Sequence, residues 1–258
     1  MSWASRRKFF YLSGVILFFA IVIGIPAFLY LYDPASCFDN IQNQGETAVD
    51  RSGPCQLLDE RQLIPHTVQW ARGFSVRAAE CSAVAYIENP NDGAGVHAVP
   101  YRFKLYDDRN ILVADREGVA YIMPGTITPV YTGAIETGNR IVARTFFEFT
   151  APLVWERLAD SSRLIEITGR KIENATTEPR VSALAENTDV KEIRDVEFVA
   201  VVFDTVGNAI ASSRTTVTIM EPGERYDLVF TWPDPMEKPV GRIDVLPMRK
   251  PVPLSEAR

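Results

Sequence analysis

The apolar pattern of the chain changes character once, sharply, near its beginning. Residues 9–32 form an unbroken run of 24 residues without a formal charge, dominated by Phe, Ile, Leu and Val and preceded by Arg6-Arg7-Lys8. At about 1.5 Å per residue, a helix of that length crosses a hydrocarbon core of roughly 30 Å. From residue 67 onward the pattern has a period of two instead. Short apolar–polar alternations are separated by Gly, Pro, Asn and Asp, with no sustained 3.6-residue period, which predicts strands and turns. Six strands are predicted over 67–77, 81–88, 99–106, 111–122, 129–135 and 141–149. Six more follow over 164–173, 180–186, 195–203, 209–217, 225–232 and 242–245.

These two sets are copies of one another. Tyr101-Arg-Phe-Lys-Leu-Tyr-Asp107 returns as Glu197-Phe-Val-Ala-Val-Val-Phe-Asp204, Glu88-Asn89 as Glu186-Asn187, and Pro124-Gly125 as Pro222-Gly223, at offsets of 97 or 98 residues. Agreement across separated landmarks marks an internal repeat. Six or seven strands in each repeat is the scale of an immunoglobulin-like sandwich. The expected fold class is therefore all-β: two tandem immunoglobulin-like β-sandwiches preceded by one N-terminal transmembrane helix.

Phe103-Lys-Leu-Tyr-Asp107, with an Asn-rich turn before it and a Pro-Gly turn after it, resembles the signature of the bacterial and archaeal FxLYD domains. That resemblance implies a small β-sandwich on an extracytoplasmic protein. The second copy departs from the signature, reading Ala200-Val-Val-Phe-Asp204. The expected organisation is a cytoplasmic basic tip (1–8), a signal anchor (9–32), a membrane-proximal segment (33–66), a first FxLYD-type sandwich (67–150), a linker (151–159), a second sandwich (160–247) and a disordered tail (248–258). The linker holds Trp155 and has no glycine, which predicts a stiff segment packed at the domain junction.

Topology follows from charge. Lys and Arg resist translocation, so the basic flank is expected in the cytoplasm, with the bilayer as a partner through residues 9–32 and everything after Asp33 outside. Tyr11 at one end and Tyr30 and Tyr32 at the other suit the two interfaces. A cleaved signal peptide is the rival, but its apolar core spans only about 7–15 residues. Pro34 also stands where cleavage before Cys37 wants a small or aliphatic residue.

Three cysteines in an extracytoplasmic chain suggest one disulfide and one remaining thiol. Cys37 and Cys55 bracket a polar loop and are expected to pair, leaving Cys81, at the start of an apolar strand, as a buried thiol. The loop resembles a cysteine motif of bacterial secreted proteins, C-x-D-G-I-x-N-x-x-E-T-x-V-D-C-G-G-x-C. Asn40 stands for its first Gly, and Arg51-Ser52 for its Cys-Gly pair. Asp39, Asn43, Glu46 and Asp50 offer oxygens that would suit Ca²⁺, but the loop departs from an EF-hand and the expectation is that no metal is required.

Composition narrows the function classes. A net charge of −6 and a pI near 5.1, with no basic stripe, speak against a nucleic-acid partner. Two histidines, His66 and His97, starve general-base and metal schemes, and Asp107-Asp108 sits where a hairpin turn is predicted. No catalytic, cofactor-binding or metal-ligating set is assigned, and no enzyme is expected. The expected role is a membrane-anchored extracytoplasmic scaffold or binding protein of a bacterial cell envelope with a protein partner. The alternative is an accessory subunit of a secretion, pilus-like or transport complex.

Overall fold

The computed structural model describes residues 3–31 and 36–254. Tyr32, Asp33 and Pro34 of the expected anchor boundary and the final four residues of the expected tail lie outside the described residues, as does the side chain of Arg6. Two compact units divide the chain, one ending at Cys55 and one beginning at Gln56.

In the first unit the apolar run is helical: α1 (Trp3–Phe19), a π-helical turn (Ala20–Gly24) and α2 (Ile25–Leu31). Arg7–Leu31 is long and apolar enough to cross a membrane, and its apolar side chains are exposed on every side. The widened turn sits beside Pro26. A proline lacks an N–H and its ring crowds the carbonyl four residues back, so the local hydrogen bonding shifts register. The Ile25 N–H accordingly reaches the Ala20 carbonyl.

Every sheet of the second unit is antiparallel, and two 3-10 turns, Glu60–Gln62 and Ser161–Leu164, accompany them. Its first sandwich places β1 (Thr67–Arg77), β2 (Glu80–Glu88) and β5 (Ile127–Glu136) in the order 1-2-5, opposite β4 (Leu112–Ile122), β3 (Ala94–Tyr106) and β6 (Arg144–Phe149) in the order 4-3-6. The second sandwich repeats this plan. β8 (Ile165–Glu173), β9 (Arg180–Asn187) and β12 (Arg225–Thr231) face β11 (Ala209–Met220), β10 (Ile193–Asp204) and β13 (Val240–Met248). Even the irregularities coincide, with a register shift at Leu105/Tyr106 against β4 and at Val202/Phe203 against β11.

Alternation explains β3: Val99, Tyr101, Phe103 and Leu105 are buried while Arg102, Lys104 and Tyr106 turn outward. It does not explain β2 or β10, which are buried almost from end to end. Those two strands have a core on both faces. One core fills each sandwich, around Phe103 and Ile87 in the first and Phe198 and Phe230 in the second. A third core joins them, where Phe74, Val84 and Tyr86 from the 1-2-5 sheet meet Val199, Val201 and Phe203 from the 11-10-13 sheet. The Trp70 and Tyr86 rings stack at 4.3 Å, with Phe203 edge-on to both at 6.1 Å.

The repeated landmarks are hydrogen-bond anchors. The Asn89 amide, 1% exposed, donates to the carbonyls of Ala94 (2.7 Å) and Met123 (2.9 Å), tying the turn after β2 to the turn after β4. Asn187 does the same in the second copy, donating to Lys191 and Met220 at 2.9 Å each. The aspartates close the hairpins: Asp107 Oδ1 accepts from the Arg109 and Ile111 N–H groups, and Asp204 Oδ1 from those of Val206 and Asn208. The Asn208 N–H holds the Asp204 carboxyl below its ordinary pKa.

Three expected boundaries are corrected. The expected linker belongs to the first sandwich: Trp155 is 2% exposed within its core, and β7 (Glu156–Ala159) pairs with the start of β3. Burial stabilises a large apolar side chain in either core, and the pairing of β7 with β3 carries Trp155 into the first. The expected tail is ordered as far as described, with Met248 in the third core and β14 (Val252–Pro253) paired to β7. Pro253 is tolerated because β14 lies at the sheet edge. Residues 56–66, expected to belong to a spacer, dock on the first sandwich, where Leu58 and Leu63 join its core and Asn91 bonds both backbone groups of Ile64.

Replacing Asn89 by Ala strands two buried carbonyls and is expected to destabilise the second unit by about 2 kcal/mol or more in denaturant titrations, and Asn187→Ala, which strands one, by about 1 kcal/mol or more, since each unsatisfied buried group costs ~1–3 kcal/mol. A change within about 0.5 kcal/mol, on the scale of ordinary surface substitutions, would contradict the anchoring role.

Candidate interaction surface

The reactive side chains singled out from the sequence sit in structural positions. His66 packs against Phe149 and Trp155 with ring centroids 5.9 Å away in each case, and burial lowers its pKa against an opposing pull from Glu60. His97 lies half-buried on β3. Asp107 spends its carboxylate on turn amides while Asp108 is exposed. Burial pushes the Cys81 thiol up to about 11, against a weaker opposing effect of Arg116, so it stays protonated and inert.

Cys37 and Cys55 are joined. Inside their loop, Asp39 Oδ1 accepts from the Ile41 N–H at 2.8 Å and its Oδ2 from the Asn43 amide at 2.9 Å. Asp50 accepts from the Asp39 and Asn40 N–H groups at 3.2 Å, and the buried Glu46 from those of Asn43 and Asp50 at 3.3 Å. Glu46 lies close to both sulfurs, but these are bonded to each other and offer no thiolate to a metal. Asn40 and Ser52, which replace glycines of the resembled motif, keep a left-handed backbone at φ 58° and 61°. The local path that glycine favours is retained without it.

What the second unit presents to solvent is two outer sheets. On the 4-3-6 sheet, Arg102, Lys104 and Tyr106 form a central row, flanked by Asp115 and Glu117 of β4 and by Phe146 and Glu148 of β6. Lys104 pairs with Glu148 at 2.8 Å, and Arg102 with Glu117 and, at 3.6 Å, with Asp115. The hydrogen bonds that Arg102 donates to Glu117 and Lys104 to Glu148 raise the pKa of both cations. Tyr106 and Phe146 meet edge-on at 5.6 Å, with Phe146 59% exposed. Exposed ion pairs contribute only about 0–1 kcal/mol each, so stability gives this arrangement little reason to exist. What distinguishes this face is the solvent-facing Tyr106–Phe146 pair set among those ion pairs.

The repeat shows what the same sheet does in its other copy. Arg102, Lys104 and Tyr106 correspond to Val199, Val201 and Phe203, all buried in the third core. One sheet face is thus used twice, apolar where it is permanently covered and polar where it is not. Along the seam between the sandwiches lies a cleft of about 300 Å³ lined by Tyr101, Tyr121, Tyr131, Glu197 and Arg214. Arg214 sits 5.2 Å over the Tyr131 ring and bonds both Glu197 oxygens at 3.3 Å, so the strongest polar groups of the cleft answer one another.

Neither the protein-family models nor the curated proteins contain a match to this chain. Sequence reasoning missed the covered face, although a signal was present: Phe198-Val-Ala-Val-Val-Phe203 is continuously apolar, as strands buried on both faces are.

Non-reducing peptide mapping is expected to recover Cys37 linked to Cys55, with Cys81 resisting alkylation at pH 8 until the chain is denatured. Rapid modification of Cys81 in the native protein would contradict its burial.

Proposed function

We propose that the chain is a membrane-anchored, extracytoplasmic scaffold or binding protein of a bacterial cell envelope, non-catalytic, displaying two FxLYD-type sandwiches. The helix is the anchor and crosses the bilayer with its basic end inside, because lysine and arginine next to a span are held on the cytoplasmic side. The observation that carries this reading is the apolar helix whose side chains find no protein cover, in a chain whose other elements are almost all strands. Supporting it, Arg102 and the solvent-facing Tyr106–Phe146 pair of the 4-3-6 sheet suit a protein partner, and the disulfide suits an oxidising compartment.

Protease added to intact spheroplasts is expected to digest both sandwiches and leave a membrane-retained fragment carrying the N-terminus. Protection of the sandwiches until the membrane is lysed would place them inside. A mature N-terminus near Cys37 would show cleavage in place of anchoring.

A further inference from the structure

The contact between the two sandwiches joins non-equivalent sheets of equivalent units: the 1-2-5 sheet of the first meets the 11-10-13 sheet of the second. Such a heterologous contact leaves one face of each kind free, the 4-3-6 sheet at one end and the 8-9-12 sheet at the other, and it continues through further copies unless something blocks it. We propose that the chain associates head to tail, its 8-9-12 sheet docking on the 4-3-6 sheet of a second copy in the register already used inside the molecule.

The internal contacts predict the external ones position by position. Inside, the Ser82 and Ser212 hydroxyls meet at 3.0 Å and are fully desolvated. Their counterparts are Arg180 and Asp115, because Asp115 stands beside Lys104 as Ser212 stands beside Val201. A buried neutral pair is thus replaced by opposite charges. Inside, Tyr86 reaches Asp244. The counterparts, Leu184 and the exposed Phe146, are an apolar pair. Inside, Arg72 Nη1 donates to the Ala209 carbonyl at 2.6 Å. Lys171 and Leu112 take those places, again a cation facing a backbone carbonyl. Trp70 and Phe203, edge-on inside, become Thr168 and Tyr106.

None of these four pairs opposes like charges. The external contact has fewer apolar side chains than the internal one and more ionic ones, so it forms and breaks as exposed polar interfaces do and weakens as salt screens it. The inference goes beyond the proposed scaffold role and holds on whichever side of a membrane the sandwiches lie, so its failure leaves that topology untouched.

The test is oxidative crosslinking of the full chain carrying Asp115→Cys and Arg180→Cys in native membranes at low salt. The hydroxyls of the internal counterparts lie 3.0 Å apart, so a matching register brings these cysteine sulfurs together. The expected result is a ladder of dimers, trimers and longer species that fades as salt is raised, and dimers alone when the two single variants are mixed. Ser82→Cys with Ser212→Cys is expected to crosslink within one chain and give no ladder. A second reporter, Leu184→Cys with Phe146→Cys, tests the charge pair: Asp115→Arg is expected to weaken its ladder and Arg180→Asp, added to it, to restore it. Absence of a ladder from both reporters, or an equal ladder from the out-of-register pair Asp115→Cys with Glu237→Cys, would overturn the proposal.

Discussion

Burial of one face of β10 against one face of β2 is the constraint on which the second unit depends. Val199, Val201 and Phe203 leave solvent only because Val84, Tyr86 and Phe74 cover them, and the reverse is equally true. Each large apolar side chain withdrawn from water contributes about 1.5–3 kcal/mol. Six of them together contribute on the order of 10 kcal/mol, comparable to the whole stability of a typical domain. Domains joined in one chain move freely by default unless their interface is large and hydrophobic. Here the interface is apolar and buried, which favours the two sandwiches moving as one body.

That constraint also explains the divergence of the repeats. Their frames are the same to the level of bulge positions, Asn amide bridges and Asp-capped hairpins, because those features satisfy backbone groups that any copy must satisfy. Their outward rows differ because each copy faces different surroundings. Phe103 and Leu105 of the signature stretch, and Ala200 and Val202 in the other copy, serve the core. Tyr106 and Phe203 serve whatever lies outside.

Much of this was legible in the sequence. Short apolar segments bounded by turn residues located twelve strands to within about five residues, most of them alternating as a half-buried sheet imposes, while β2 and β10 read as near-continuous apolar runs. Turn residues located the repeat, since Asn89, Asp107 and Gly125 bond locally in ways their neighbours cannot replace. The disulfide was legible from the cysteine count and from the polar loop that Cys37 and Cys55 bracket. Trp155 was assigned to the wrong place because an apolar residue between two predicted domains does not declare which core it enters. β7 and β14 pair over two residues each, too short for any pattern to register. The covered faces were hardest. Whether Val201 points at water or at Val84 is decided by a sheet more than a hundred residues away, and only the unbroken apolar run hinted at it.

Scanning calorimetry of the full chain in detergent, with the solvent-facing residues of the first copy grafted onto the second as Val199→Arg and Val201→Lys, tests the third core most directly. The native chain is expected to show one transition for the second unit, and the grafted chain two, because the cations separate the sandwiches while leaving each internal core intact. A grafted chain that still melts in one transition at an unchanged temperature would contradict the account, since the two sandwiches would then owe nothing to the apolar face between them.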